Sequence, residues 1–96
     1  MKRYSILVDD MHKCLICGTT NNIHIHEVFF GRDSKRDLSI KYGCCVGLCV
    51  RHHNGSNEGV HYNKILDTKL KRYAQKKFTE HYPNLDFLKI FGKNYL

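Results

Sequence analysis

The chain has 96 residues, and 16 Lys+Arg against 9 Asp+Glu give it a formal charge of +7. That length points to one domain over residues 1–96 with a core of marginal size, for which a structural metal is a usual supplement. The charge makes a polyanion the first partner to consider, nucleic acid above all, while no apolar run is long enough to span a membrane, so no membrane partner is expected.

The chain starts Met1-Lys2-Arg3-Tyr4-Ser5, which is basic but lacks the apolar stretch of a signal peptide, so a cytosolic location is expected. Tyr4-Ser5-Ile6-Leu7-Val8 is a β-prone run ended by Asp9-Asp10 and predicts a first strand. Cys14 and Cys17 follow, two residues apart, a spacing that lets one tight turn aim both thiolates at one ion. Residues 18–22 are turn material. In Ile23-His24-Ile25-His26-Glu27 the apolar and histidine residues alternate, which puts His24 and His26 on one face of an extended segment and Glu27 on the other.

Residues 31–41 carry Arg32, Lys35, Arg36 and Lys41 against Asp33 and Asp37 and read as a mobile basic loop. Residues 42–50 read as a returning strand that delivers Cys49, with Cys44 and Cys45 as small buried hydrophobes. Cys49 and His52 form a second half-site, and with Cys14 and Cys17 they make the four ligands of a closed structural Zn2+ site. His53, one residue further on, is the alternative fourth ligand. An odd cysteine count with this spacing favours reduced thiolates over disulfides. His26, His53 and His61 exceed what one zinc needs, so a second site is expected among them. His12, His24 and His81 read as surface histidines.

A tight polar loop over residues 54–59 precedes a change of period. Ile65, Leu66, Leu70, Tyr73, Ala74 and Phe78 fall at helical spacing over about six turns of 3.6 residues, predicting a long amphipathic helix that Pro83 stops. Tyr62, Tyr73 and Phe78 read as core, and Lys64, Lys69, Lys71, Arg72, Lys76 and Lys77 as the outer face. Asn84 is placed to cap a short last helix with Leu85, Phe87, Leu88 and Phe91 inward and Gly92 at its stop. The fold class is α+β.

These residues resemble the zinc-stapled HNH, or His-Me finger, nucleases, in particular small phage-encoded members. The resemblance runs through Cys14-x2-Cys17, His26-Glu27-Val28-Phe29-Phe30-Gly31, Tyr42-Gly43, Leu48-Cys49-x2-His52-His53-Asn54, Gly59-Val60-His61 and the closing residues 90–96. It implies a ββα-metal core and a divalent-metal-dependent DNA endonuclease of phage or prophage origin. It also implies a catalytic ion such as Mg2+, Mn2+ or Zn2+ near His26, His53 and His61, and no small-molecule cofactor. Family members often carry a metal ligand followed by the base histidine where this chain has His26-Glu27. Two registers follow: His26 is the ligand and Glu27 the base, or His26 is the base with His24 or Glu27 assisting the metal.

DNA is the expected partner through Arg32, Lys35, Arg36, Lys69, Arg72 and Lys76. The alternative is a non-catalytic zinc module that binds DNA or protein.

Overall fold

The computed structural model describes residues 3–55 and 58–96. The elements in chain order are β1 (Ile23–Glu27), α1 (Lys35–Tyr42), β2 (Cys45–Cys49), α2 (Val50–Asn54), α3 (Lys64–His81) and α4 (Phe87–Phe91). The strands form a two-stranded antiparallel sheet in which Ile23 faces Cys49, Ile25 faces Gly47 and Glu27 faces Cys45. This is a small α+β fold. Two strands alone are marginal in water, so the sheet depends on what packs against it.

At one end the support is aromatic. Val28 and Phe29 leave β1 into a core completed by Val46, Leu48, Ala74, Phe78, Phe87 and Phe91. The Phe29 ring lies 4.6 Å from Phe91 and 5.1 Å from Phe87, and Phe78 lies 5.3 Å from Phe87. Tilted rings at these separations add to the stabilisation from burial alone. α3 supplies the inner stripe Leu70, Ala74, Gln75 and Phe78. It is capped by Asn63, whose side chain accepts the Leu66 N–H, and it ends just before Pro83 as expected.

Residues 31–41, expected to be a mobile loop, instead carry α1. The reason is Ser39, fully buried, whose hydroxyl accepts the Phe29 N–H at 3.0 Å and donates to the Phe29 carbonyl at 2.7 Å. Its own carbonyl accepts the Cys44 N–H at 2.8 Å, so one helical turn ties β1 to β2. Composition hides such a contact because the segment's outer face is charged. The returning strand is accordingly shorter than residues 42–50: Tyr42 closes α1, and Gly43 turns the chain with φ of 75°. A Cβ at Gly43 would sit 2.6 Å from the Tyr4 ring.

The expected first strand over residues 4–8 is absent. Ser5 Oγ accepts both the Leu7 and Val8 N–H groups and donates to the Cys45 carbonyl, so the segment turns on its own side chain instead of pairing along its length. Asp86, not Asn84, caps α4, accepting the Lys89 N–H. That register turns Phe87 and Phe91 inward and leaves Leu85 and Leu88 exposed. Tyr62 and Ile65, expected inside, are 68% and 72% exposed, and Tyr73 lies at the margin with its hydroxyl donating to the Leu7 carbonyl.

Gly47 is the tightest point of the sheet. A Cβ there would meet the Met11 carbonyl and lie 2.6 Å from the Lys13 carbonyl, because the segment entering the Cys14 turn crosses directly over β2. Gly47→Ala is expected to destabilise the protein by about 1–3 kcal/mol, the usual range for overpacking, measured by denaturant unfolding. An unchanged midpoint would mean that the N-terminal segment does not lie on β2.

Candidate metal centres

The first centre is built from a turn and a strand end. Residues 14–18 close on themselves, with the Gly18 N–H bonding the Cys14 carbonyl and the Cys14 N–H bonding the Thr19 carbonyl, each at 2.9 Å. The turn is pinned to β2 by Leu15 N–H to the Gly47 carbonyl. Cys49 ends β2, and one turn of α2 brings His52 beside it. His52 Nδ1 lies 3.3 Å from Cys49 Sγ and 3.6 Å from Cys14 Sγ, while Cys17 Sγ lies 3.8 Å from Cys49 Sγ. All four ligand atoms fall within 4.8 Å of one another, close enough to hold one metal ion.

Burial raises the Cys14 thiol pKa, but the Cys17, Cys49 and Ile16 backbone and the His52 ring outweigh it and bring the value to about 6. A thiol so placed is ready to ionise as a ligand. Cys44 and Cys45, by contrast, are buried apart from this group as expected, and burial pushes their thiols up to about 12 and about 11.

The second centre begins one residue later. Successive helical residues point ~100° apart, so His53 leaves the first group and turns toward β1. There the strand alternation presents His26, 2% exposed. Beyond α2 the chain doubles back: the Val60 N–H bonds the His52 carbonyl at 2.9 Å and the His61 N–H bonds the His53 carbonyl at 3.2 Å. That return carries His61 Nε2 to 3.0 Å from His53 Nε2. The ligand nitrogens of His26, His53 and His61 also lie within 4.8 Å of one another.

His26 Nε2 is buried without a hydrogen-bond partner among the described residues. A buried, unpartnered ring nitrogen on a residue whose ring lies 5.1 Å from that of His53 and 5.2 Å from that of His61 fits a divalent cation, since an unsatisfied polar atom is otherwise costly. Burial, then the charges of His53, His61, Lys71 and Arg36, holds the His26 pKa down to about 3. Burial, then His61 and His24, lowers that of His53 as well. Both rings therefore keep free lone pairs at neutral pH.

The remaining expected residues distribute as follows. Glu27 faces away from the histidines and pairs with Arg3 at 3.0 Å. Arg32, Arg36, Lys69, Arg72 and Lys76 are exposed and Lys35 half-buried; Arg36 stands on α1 near enough to His26 to lower its pKa, and Arg72 Nε donates to the Tyr95 carbonyl. Lys71, near the second centre, was not singled out for it from sequence, whereas His24 was named there in one of the two registers. Lys71 lies over the Phe30 ring, 4.4 Å from its centre, and that ring packs against His26 and His61. His24 sits with Nδ1 3.0 Å from His53 Nδ1. The alternation of His24 with His26 was the available signal.

Once an ion is bound at the first centre, its removal is expected to unfold the chain, because a structural zinc in a small domain contributes ~10–16 kcal/mol, as much as or more than a net stability of about 5–15 kcal/mol. Cys14→Ser, Cys49→Ser and strong chelators should each abolish the cooperative thermal transition followed by circular dichroism. A native transition in thoroughly demetallated protein would show that these four residues are not holding the fold together.

Among the described residues no helix is long and apolar enough to cross a membrane. Comparison with family models, with curated proteins and with solved structures found no match.

Proposed function

We propose that the chain is an HNH-type, divalent-metal-dependent DNA endonuclease of phage or prophage origin, with structural zinc at Cys14, Cys17, Cys49 and His52. The observation that carries this reading is the meeting of His26, His53 and His61 where an antiparallel strand pair passes into a helix, with His26 Nε2 buried and unpartnered. Three sulfurs and one imidazole suit zinc in a closed site, whereas three imidazoles leave positions open for water and a phosphate oxygen.

A divalent ion held there would neutralise charge developing on the phosphate and stabilise the leaving oxygen. The protein's own contribution would be to hold that ion through the neutral imidazoles of His26, His53 and His61, leaving room for a bound water that would give up its proton more readily than bulk water. Glu27 is not assigned as base, because its carboxylate is engaged by Arg3 on the opposite face. Arg36 and Lys71 bring positive charge toward the site from α1 and α3, and Lys69, Arg72 and Lys76 extend it along the exposed side of α3, as a polyanionic substrate requires.

His26→Ala is expected to abolish metal-dependent cleavage of plasmid DNA while zinc content and fold remain. Because the His26 and His53 pKa values are lowered, the protonation that costs activity comes at lower pH than for a free imidazole. The acid limb of the rate profile should therefore lie below the ordinary imidazole pKa of about 6.5. Wild-type cleavage by His26→Ala would refute the site. No cleavage by the wild type across several metals and substrates would favour a zinc module that only binds.

DNA affinity is expected to fall linearly with salt on logarithmic axes, and Arg36→Ala or Lys76→Ala should each reduce that slope by about 1 with no change in sequence preference. Binding that is flat against salt would remove DNA as the partner.

A further inference from the structure

His24 is exposed and lies outside the three residues whose nitrogens could share the second ion, yet it touches one of them. Its Nδ1 is 3.0 Å from Nδ1 of His53, while the other nitrogen of His53, Nε2, is 3.0 Å from Nε2 of His61. The His24 and His53 rings cross edge-on at 85°, with centroids 5.2 Å apart. Both nitrogens of His53 are thus committed, one toward the histidine group and one toward His24.

A neutral imidazole carries one N–H and one lone pair. If His53 lends its Nε2 lone pair to an ion, its proton must reside on Nδ1, and the atom 3.0 Å from that nitrogen is His24 Nδ1. His24 must then be the acceptor, with its own proton on Nε2. The opposite assignment would have His24 donate to Nδ1 of His53, which would put the His53 proton on Nε2 and block its ligand nitrogen.

We propose that His24 is a positioning residue that fixes the Nδ1–H tautomer and the ring orientation of His53 for a divalent ion. The proposal rests on reading His26, His53 and His61 as a metal site. The strand geometry supports it, since residues two apart on β1 share a face, so the element that presents His26 to the ion also presents His24 to His53. An outer hydrogen bond of this kind is usual for histidine ligands, and its loss typically costs 10- to 100-fold in metal affinity or activity.

The test uses the full chain with zinc in its Cys/His centre, titrated with Mn2+ by calorimetry and with Co2+ by visible absorption. Two substitutions separate the hydrogen bond from mere bulk. Asn at position 24 offers an amide oxygen the same number of bonds from Cβ as Nδ1, whereas Leu fills the space without an acceptor. His24→Leu is expected to weaken Mn2+ binding by about 10- to 100-fold, with unchanged circular dichroism and zinc content, and His24→Asn to restore most of it. At saturation the Co2+ ligand-field spectrum should match the wild type, because no ligand has been removed.

Failure of the underlying reading is a distinct result: a wild-type chain that takes up no second ion, or one whose uptake survives His53→Ala, would overturn the metal site and this proposal together. If the wild type binds, His53→Ala does not and His24→Leu binds as tightly as wild type, only the role of His24 is overturned. A cobalt spectrum altered at saturation in His24→Leu would make His24 a ligand and equally refute the positioning role.

Discussion

The convergence of Cys14, Cys17, Cys49 and His52 is the constraint on which the rest of the molecule depends. Those side chains come from a turn near the N-terminus and from the junction of β2 with α2, and nothing in the local sequence of either stretch would hold them together. The sheet between them has only two strands, and its far end is secured by the Phe29, Phe78, Phe87 and Phe91 cluster. At the near end Leu15 and Ile16, the residues between the two turn cysteines, are exposed. The four side chains that meet there are close enough to hold one metal ion.

The same clamp sets up the second group of histidines. Because His52 is drawn toward Cys14 and Cys49, the helical turn of α2 fixes the direction of His53, and the return of the chain along α2 fixes His61. Two adjacent histidines thereby join two separate groups of candidate ligands. His26 completes the second group from the strand side, and its burial keeps it unprotonated. Charge is distributed to match, with the carboxylate of Glu27 directed away to Arg3 while Arg36 and Lys71 bring positive charge toward the histidines.

The buried Ser39 shows how little of such an arrangement need be apolar. One hydroxyl satisfies both backbone groups of Phe29, and the same residue's carbonyl receives Cys44, so α1 is locked to both strands by three hydrogen bonds. Arg36 owes its place near His26 to that lock.

Spacing alone identified the first metal group, because two thiolates two residues apart and a Cys-x2-His pair have few other uses, and alternation alone put His24 and His26 on one face. The helical period likewise marked α3, since its buried stripe repeats over many turns and one misread residue does not shift it. Tertiary structure decided everything that depended on a single long-range contact. It selected His52 over His53 for the first group, because the choice turns on which side of α2 faces the Cys14 turn. It also made a helix of the charged segment after Gly31 through Ser39, and it undid the strand expected at residues 4–8 through the Ser5 hydroxyl. Periodic patterns survive averaging over many weak preferences and can be read from composition and order. A lone hydroxyl or imidazole acquires its partner only once the chain has closed.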